Sequence, residues 1–447
     1  MSSAVEQFAS NLNFSSFAKA EELKKRLWFT LGALLVYRLG TYIPLPGIDA
    51  AVWDDIFSQK SGGIIDMFNM FAGGAVERMS IFALNIMPYI SASIIMQLMT
   101  SMVPSLEQLK KDGEAGRKKI NQYTRLGTVL LATVQAYGLS VGLESMESSV
   151  GSAVVDPGFY FRASTVITIV GGTVFLMWLG EQITARGVGN GISLIIFAGI
   201  VAELPRAFVG MLEMGRTDAI SPALILFVMF LAVAVIAFIV FMERAQRRII
   251  VQYPKRAAGP GQMQGEQSHM PLKLNTAGVI PPIFASALLL LPLTIVGFSG
   301  GQGNELLDSI SVHLQHGSPL YMVMYAALIT FFCFFYTAIV FNPDETAENL
   351  KRFGGFVPGI RPGKPTAKYL DYVLSRITVV GAAYLVFVCL LPEFLMSKFS
   401  LPFYFGGTSL LIVVTVTMDT VAQVHSHLIA HQYEGLIKKS KLRGRRK

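Results

Sequence analysis

Charge is scarce in this sequence: Asp, Glu, Lys and Arg make up 15% of 447 residues. A soluble chain of that length would need far more charge on its surface, so the composition points to a polytopic membrane protein. Cysteine is scarcer still. Cys333 and Cys389 both fall inside apolar runs, which excludes a disulfide framework and makes them packing residues. All six histidines (269, 313, 316, 425, 427 and 431) lie outside the apolar runs or at the end of the last one. The centres of the runs read as free of Asp, Glu, Lys and His. Glu181, Glu203, Glu243 and Asp419 are expected at or near run ends, and Arg38 towards the outer end of its run. Ionisable residues inside the membrane mark proton relays and ion-coupled carriers, so their scarcity counts against both. A membrane hydrolase would need a buried Ser/His pair, a metal box or paired carboxylates, and the sequence offers none. No catalytic residue, cofactor or metal site is therefore expected. His427 and His431 share a helical face but lack a third ligand, so an amphipathic tail is the better reading. "GVGNGIS" (187–193) has no following Lys-Ser/Thr and reads as a turn, not a phosphate loop. Lys19, Lys24, Lys25 and Arg26 precede a full-length first run without a small-residue cleavage site, so no cleavable leader is expected.

Apolar residues fill the space that charge leaves: 52% of the chain, with a mean hydropathy of +0.51. They gather in ten runs, near 27–43, 79–100, 124–143, 160–180, 191–212, 219–242, 275–297, 319–341, 374–396 and 403–425. A bilayer core of roughly 30 Å needs about 20 apolar residues per helix, which the runs supply. They are continuous rather than alternating, which excludes a barrel. With ten spans both termini lie on one side of the bilayer. That side carries 30 of the Lys and Arg residues against 6 on the other, with Arg38 inside the first run. By the positive-inside rule the richer side is cytoplasmic. Two loops on it, 243–274 and 342–376, are too long and basic for simple turns and point to docking of a large, anionic partner.

"IMPYISAS" (86–93) in the second run is echoed by "VIPPIFAS" (279–286) in the seventh. Pro88 pairs with Pro281, Ile90 with Ile283, Ala92 with Ala285 and Ser93 with Ser286. The copies lie five runs apart, so two halves (1–215 and 216–430) are expected, followed by a basic tail at 431–447. Five spans is an odd number, so the halves run in opposite directions, and inverted repeats place a functional path where they meet. Pro88 falls in the middle of its run and predicts a kink. Ser91 and Ser93 stand ready to satisfy the freed backbone groups. Asn275 and Gln135, read as amides of the seventh and third runs, add a breakable polar contact to this seam. Before the second run lies "GGIIDMFNMFAGGAVERMS" (62–80), bracketed by glycine pairs. Roughly ten residues between those pairs are too few to cross a bilayer, so a short fold-back helix or an interfacial one is expected.

Several blocks carry a resemblance: "FNMFAGGA", "SIFALNIMPYISASII", "MWLGEQIT", "GNGISLIIFAGI", "LPLKLNTAGVIP", "FCFFYTAIVFNPDETAENLK", "GFVPGIRPGKPTAKYL" and "PFYFGGTSLLI". They run in order from about 68 to 412, and the chain resembles the SecY/Sec61-alpha family of protein-conducting channel subunits. The resemblance implies an all-α polytopic membrane fold, ten transmembrane helices in two inverted five-helix halves around a central pore. It implies a waist ring of Ile86, Ile90, Ile192, Ile196, Ile283 and Ile412. The four-residue spacings of Ile86/Ile90 and Ile192/Ile196 agree with one helical face each. It implies a plug at 64–78 that includes Phe68, Asn69, Met70, Phe71, Gly73 and Gly74. A lateral gate would use Pro88, Ser91, Ser93, Gln135, Asn275, Pro281 and Ser286. Docking of the SecA ATPase or the ribosome would use Arg247, Arg248, Lys255, Arg256, Arg361 and Lys364, and ribosomal RNA phosphates would meet these by charge. "GPGQMQ" (259–264) stands where many relatives carry a further basic pair, which weakens the expected ribosome contact. The implied partners are SecE, SecG, SecA, the ribosome, signal peptides, nascent chains and the lipid bilayer, with SecDF and YidC as outer associates. The implied location is the bacterial inner membrane with both termini cytoplasmic. The alternative is an inverted-repeat secondary transporter of small solutes, which would need a polar site near the midplane.

Overall fold

The computed structural model describes residues 21–59, 69, 72–144, 146–148, 151–217, 221–253, 267–298, 318–399 and 407–444. Side chains are described for most of these, but not for 290–298, 396–399 or 431–444. The chain is mostly helical. Among the described residues the helices are α1 (Glu21–Gly40), α2 (Ala50–Gln59), α3 (Met87–Met102), α4 (Pro104–Lys111), α5 (Glu114–Glu144), α6 (Phe159–Arg186) and α7 (Gly191–Arg216). Then come α8 (Pro222–Arg244), α9 (Ile280–Phe298), α10 (Pro319–Val340), α11 (Pro343–Arg352), α12 (Lys364–Phe399) and α13 (Gly407–Gly444). Two antiparallel hairpins join them: β1 (Glu147–Ser148) with β2 (Gly151–Ser152), and β3 (Gln246–Gln252) with β4 (Gln267–Lys273).

Each of the ten apolar runs carries a helix: α1, α3, α5, α6, α7, α8, α9, α10, α12 and α13. Seven described helices are long and apolar enough to cross a membrane on their own. The exceptions have local causes. The first turns of α1 hold Glu21, Glu22, Lys24, Lys25 and Arg26. α9 is no exception in length or character, since its 19 residues, Ile280–Phe298, carry no charge, although it starts at Ile280 rather than at 275. α3 is cut short by a 98° bend into α4. Val103 at that bend is extended (φ −103°, ψ 115°), because Pro104 excludes helical geometry from the residue before it.

The second run needs a correction. Pro88 is not in the middle of a helix, because α3 starts at Met87. Residues 80–87 fold instead as successive tight turns, with Ala83 N–H donating to Ser80, Asn85 to Phe82 and Met87 to Leu84. Proline has no N–H to lose in the first turn, so it opens the helix rather than kinking it. Pro281 and Pro282 do the same in α9.

Two compact units are present. The first draws on Met1–Tyr89, Thr128–Pro205 and Val416–Lys447. Its packed centre joins α2 and the β1–β2 hairpin to α5 and α6 through Trp53, Ile56, Met79, Leu143, Val154 and Ile169. The second draws on Ile90–Gly127 and Arg206–Thr415. In it the loops expected at 243–274 and 342–376 form one folded extension. β3 alternates with period two, Ile249 and Val251 buried, Arg248 and Ile250 exposed. Ile249 and Leu272 pack on Val357, Leu370, Val373 and Ile377. Gln252 and Phe356 exchange two backbone hydrogen bonds of 2.9 Å, stitching the hairpin to the second loop.

Candidate functional site

In the first unit the segment around Gly73 and Gly74 is tied from several directions. Both glycines are left-handed, at φ 64° and 80°. A Cβ on Gly73 would stand 2.7 Å from Gly199 Cα, so α7 meets this turn backbone to backbone. Arg38 Nη1 donates to the Gly73 carbonyl at 2.5 Å, and Arg38 Nη2 stands 3.8 Å from Glu203 Oε1. Tyr37 OH donates to the Ala72 carbonyl at 3.3 Å, and Trp53 Nε1 to that of Val76 at 3.1 Å. Buried Asn69 closes the turn: its Oδ1 accepts from Glu77 N–H at 2.9 Å, and its carbonyl from Gly74 N–H at 3.0 Å. Phe68, Met70 and Phe71 lie outside the described residues.

This arrangement corrects one expectation. Glu203 does not sit near a helix end, because α7 runs on through Pro205 to Arg216 and leaves the carboxylate near its middle. Burial there is tolerable because Arg38 supplies the opposite charge. The missed signal was Arg38 as the one charge of its run and Glu203 as the one acid of its own.

The six isoleucines are buried or half-buried. Ile86, Ile196 and Ile412 are 1%, 5% and 1% exposed, Ile90 is buried, and Ile192 and Ile283 are intermediate. Ile192 and Ile196 share a face of α7. Ile86 and Ile90 do not share a helix, since Ile86 precedes α3 in the turn region. That region is held by Phe82, whose ring stacks on Tyr37 (centroids 6.2 Å) and Phe175 (6.0 Å).

Among the polar residues, Ser93 Oγ accepts from Gln97 Nε2 at 3.3 Å, and Ser286 Oγ donates to the Ile283 carbonyl at 2.9 Å. Ser91 is buried in α3, and Gln135 is half-buried on α5. Asn275 is displaced from its expected place. It lies in the turn before α9, where Nδ2 donates to Glu243 Oε1 at 2.6 Å and to the Gly278 carbonyl at 3.1 Å, while Oδ1 accepts from Gly278 N–H at 3.0 Å. Asn275 thus satisfies both backbone groups of Gly278 in the turn ahead of the two prolines. Glu243, unassigned by sequence reading, anchors this turn from the end of α8.

The folded extension displays its basic residues. Arg247 and Arg248 are exposed on β3, and Arg361 and Lys364 are exposed beside α12. The Arg361 loop is held from behind, its carbonyl accepting from Thr366 Oγ1 at 2.8 Å. Lys255 and Arg256 lie outside the described residues. α11 reads directly from "NPDETAENLKR": Asn342 caps it through Oδ1 to Asp344 N–H and Glu345 N–H, Pro343 opens it, and acids and bases sit at the matching dipole ends.

A family model described as SecY matches residues 80–421, most of the chain. The chain belongs to the SecY family. Curated members sit close to it in sequence. The protein translocase subunit SecY of Escherichia coli K12 is 56% identical over 424 residues, covering 95% of this chain and 96% of that protein. That of Rickettsia conorii is 52% identical over 431 residues, covering 96% and 99%. Solved structures agree in fold. One described as "the structure of a protein conducting channel" has a TM-score of 0.62 at 19% identity, covering 91% of this chain and 92% of that one. One concerning "the plug domain of the SecY protein" reaches 0.66 at 18%, and Sec61 in a canine ribosome-channel complex reaches 0.56 at 19%, each with the same coverage. This SecY-family chain is thus a multi-pass, mostly helical membrane protein, and the transporter alternative finds no support among these relatives.

Proposed function

We propose that this chain is the protein-conducting subunit of a translocase: a gated, passive conduit that passes unfolded secretory polypeptides across the membrane and releases apolar segments sideways into lipid. The observation that carries the reading is its 56% identity, over 95% of its length, to a protein translocase subunit SecY. Physical chemistry agrees with the assignment. A waist of Ile86, Ile90, Ile192, Ile196, Ile283 and Ile412 has no fixed charge to hold a passing chain and can dewet when idle. The segment at 64–78, containing Phe68, Asn69, Met70, Phe71, Gly73 and Gly74, serves as the plug. Pro88, Ser91, Ser93, Gln135, Asn275, Pro281 and Ser286 border the lateral gate, and the halves 1–215 and 216–430 are inverted copies. The left-handed residue two positions ahead of α3 and of α9 supports that pairing.

The chain performs no chemistry of its own in this reading, and energy comes from a partner. SecA or the ribosome docks on the cytoplasmic extension through Arg247, Arg248, Lys255, Arg256, Arg361 and Lys364. SecE and SecG complete the complex, with SecDF and YidC further out. The home is the bacterial inner membrane with both termini in the cytoplasm, as the distribution of Lys and Arg supports. The test is photocrosslinking from residue 283 to a secretory chain stalled in reconstituted vesicles. Capture is the expected result, and its complete absence would sink the reading.

A further inference from the structure

We propose that Arg38 and Glu203 form an ionic clasp that positions the Gly73–Gly74 turn and so keeps the resting channel tight; this rests on the channel reading above. Three contacts within one compact unit converge on that turn. Arg38 grips the Gly73 carbonyl through Nη1 and faces the Glu203 carboxylate through Nη2. Glu203 in turn lies against the glycine pair, since a Cβ on Gly74 would stand 2.6 Å from its Oε1. Gly199, one helical turn before Glu203, lets the α7 backbone approach Gly73 directly. α7 thus presents a small residue and an acid, four apart, to the same two glycines.

The burial pattern argues that the carboxylate is there for positioning. The Glu203 side chain is only 8% exposed and Arg38 27%. A lone carboxylate in the middle of an apolar helix is costly, and an apolar residue of similar size would pack there without that cost. What the pair adds is direction. A guanidinium fixed by a carboxylate on one side offers its remaining N–H groups to one carbonyl, in one place. Tyr42, four residues after Arg38, steadies the arrangement: its hydroxyl accepts from Arg38 Nη2 at 3.3 Å, and its ring lies under the Arg78 guanidinium, 4.2 Å from the centroid. A passing chain would have to displace the turn, and with it the Gly73 carbonyl, from Arg38. The clasp is therefore a latch on this turn, released when the Gly73 carbonyl parts from Arg38.

The experiment compares wild type, Glu203→Gln, Arg38→Gln and the double variant in planar bilayers and in export assays. Glu203→Gln keeps the side-chain shape and removes the charge. Each single variant is expected to raise resting ion leak about tenfold, the shift in a closed–open balance that loss of one charge-assisted contact brings. The double variant should leak no more than either single, because both changes break one interaction. For Glu203→Gln, export of a normal precursor and the thermal midpoint in detergent should stay near wild type, which a merely destabilised fold would not allow, whereas Arg38→Gln leaves the buried carboxylate uncompensated and should lower the midpoint. A resting leak for Glu203→Gln equal to wild type overturns the clasp, as does a double variant whose leak is the product of the two singles. A stalled precursor provides the control. If wild type conducts with it while Glu203→Gln is tight at rest, only the clasp falls. If wild type does not conduct even then, the channel reading fails and takes the clasp with it.

Discussion

Asn85 and Gly278 occupy one backbone state, each one residue before an echoed segment, 86–93 and 279–286. Each is left-handed, at φ 48° and 64°, two residues before a helix start and three before a proline. Asparagine and glycine are the residues that tolerate this state. No atom lies within 4 Å of a Cβ built on Gly278, so a side chain there meets only backbone strain. Gly278→Ala is thus expected to cost about 1 kcal/mol, whereas Asn85→Gly keeps the conformation available. Thermal unfolding in detergent would show a drop for the first variant, and an equal drop for both would refute a shared backbone role.

The proposed isoleucine collar makes its own prediction. Replacing Ile86 and Ile283 with glycine removes apolar bulk from one residue of each unit. Ions should then leak through an idle channel in planar bilayers. Conductance unchanged from wild type would mean that the waist has been placed on the wrong residues.

These two cases show what the sequence made legible. Among the described residues a helix stands in each run that hydropathy marked, because a span is a run of apolar residues and little else. Hydropathy was blind to the helices' continuation into polar sequence: α5 starts at Glu114, α12 at Lys364, and α13 runs to Gly444. Good helix formers extend a helix once the membrane part has nucleated it. The proline motif was visible, but its meaning was not. Whether Pro88 kinks a helix or opens one depends on the turn before it, which Asn85 and Phe82 shape through long-range packing. Glu203 was visible as a letter, yet its burial depends on Arg38, far away in the chain. The β3–β4 hairpin was hidden because Ile249, Ile250 and Val251 are a continuous apolar triplet, so the alternation of their burial leaves no alternation in the letters.

The turn before α9 should be fragile at one atom. Asn275→Ala deletes a 2.6 Å hydrogen bond to the Glu243 carboxylate and the bridge to the Gly278 carbonyl. A hydrogen bond to a charged group contributes roughly 1.5–3 kcal/mol, so a loss of about 2 kcal/mol is expected. Denaturation of the purified complex would measure it. Stability within about 0.5 kcal/mol of wild type would show that water replaces the amide at no cost.

Reversing one exposed charge should separate docking from folding. Arg361 is solvent-exposed, and its loop is braced by the Thr366 hydroxyl donating to the Arg361 carbonyl, a bond that does not use the guanidinium. Arg361→Glu should therefore leave the thermal midpoint unchanged. It should also slow SecA-driven export into reconstituted vesicles severalfold. Normal export would move the docking surface elsewhere on the extension.

The extension itself should come apart from a single core position. Leu370 is fully buried beneath Ile249, Leu272 and Val357, so it joins the hairpin, the second loop and the start of α12 at once. Leu370→Ala leaves a cavity at that junction and should cost about 2–5 kcal/mol locally. Leu370 packs within the small core of the extension, so the loss is expected to stay local. Hydrogen exchange at the Ile249 and Val251 amides should accelerate while amides in α6 keep their protection. Acceleration in both regions alike would mean that the extension and the membrane helices unfold as one, and that Arg361 is displayed by the whole protein rather than by this small core.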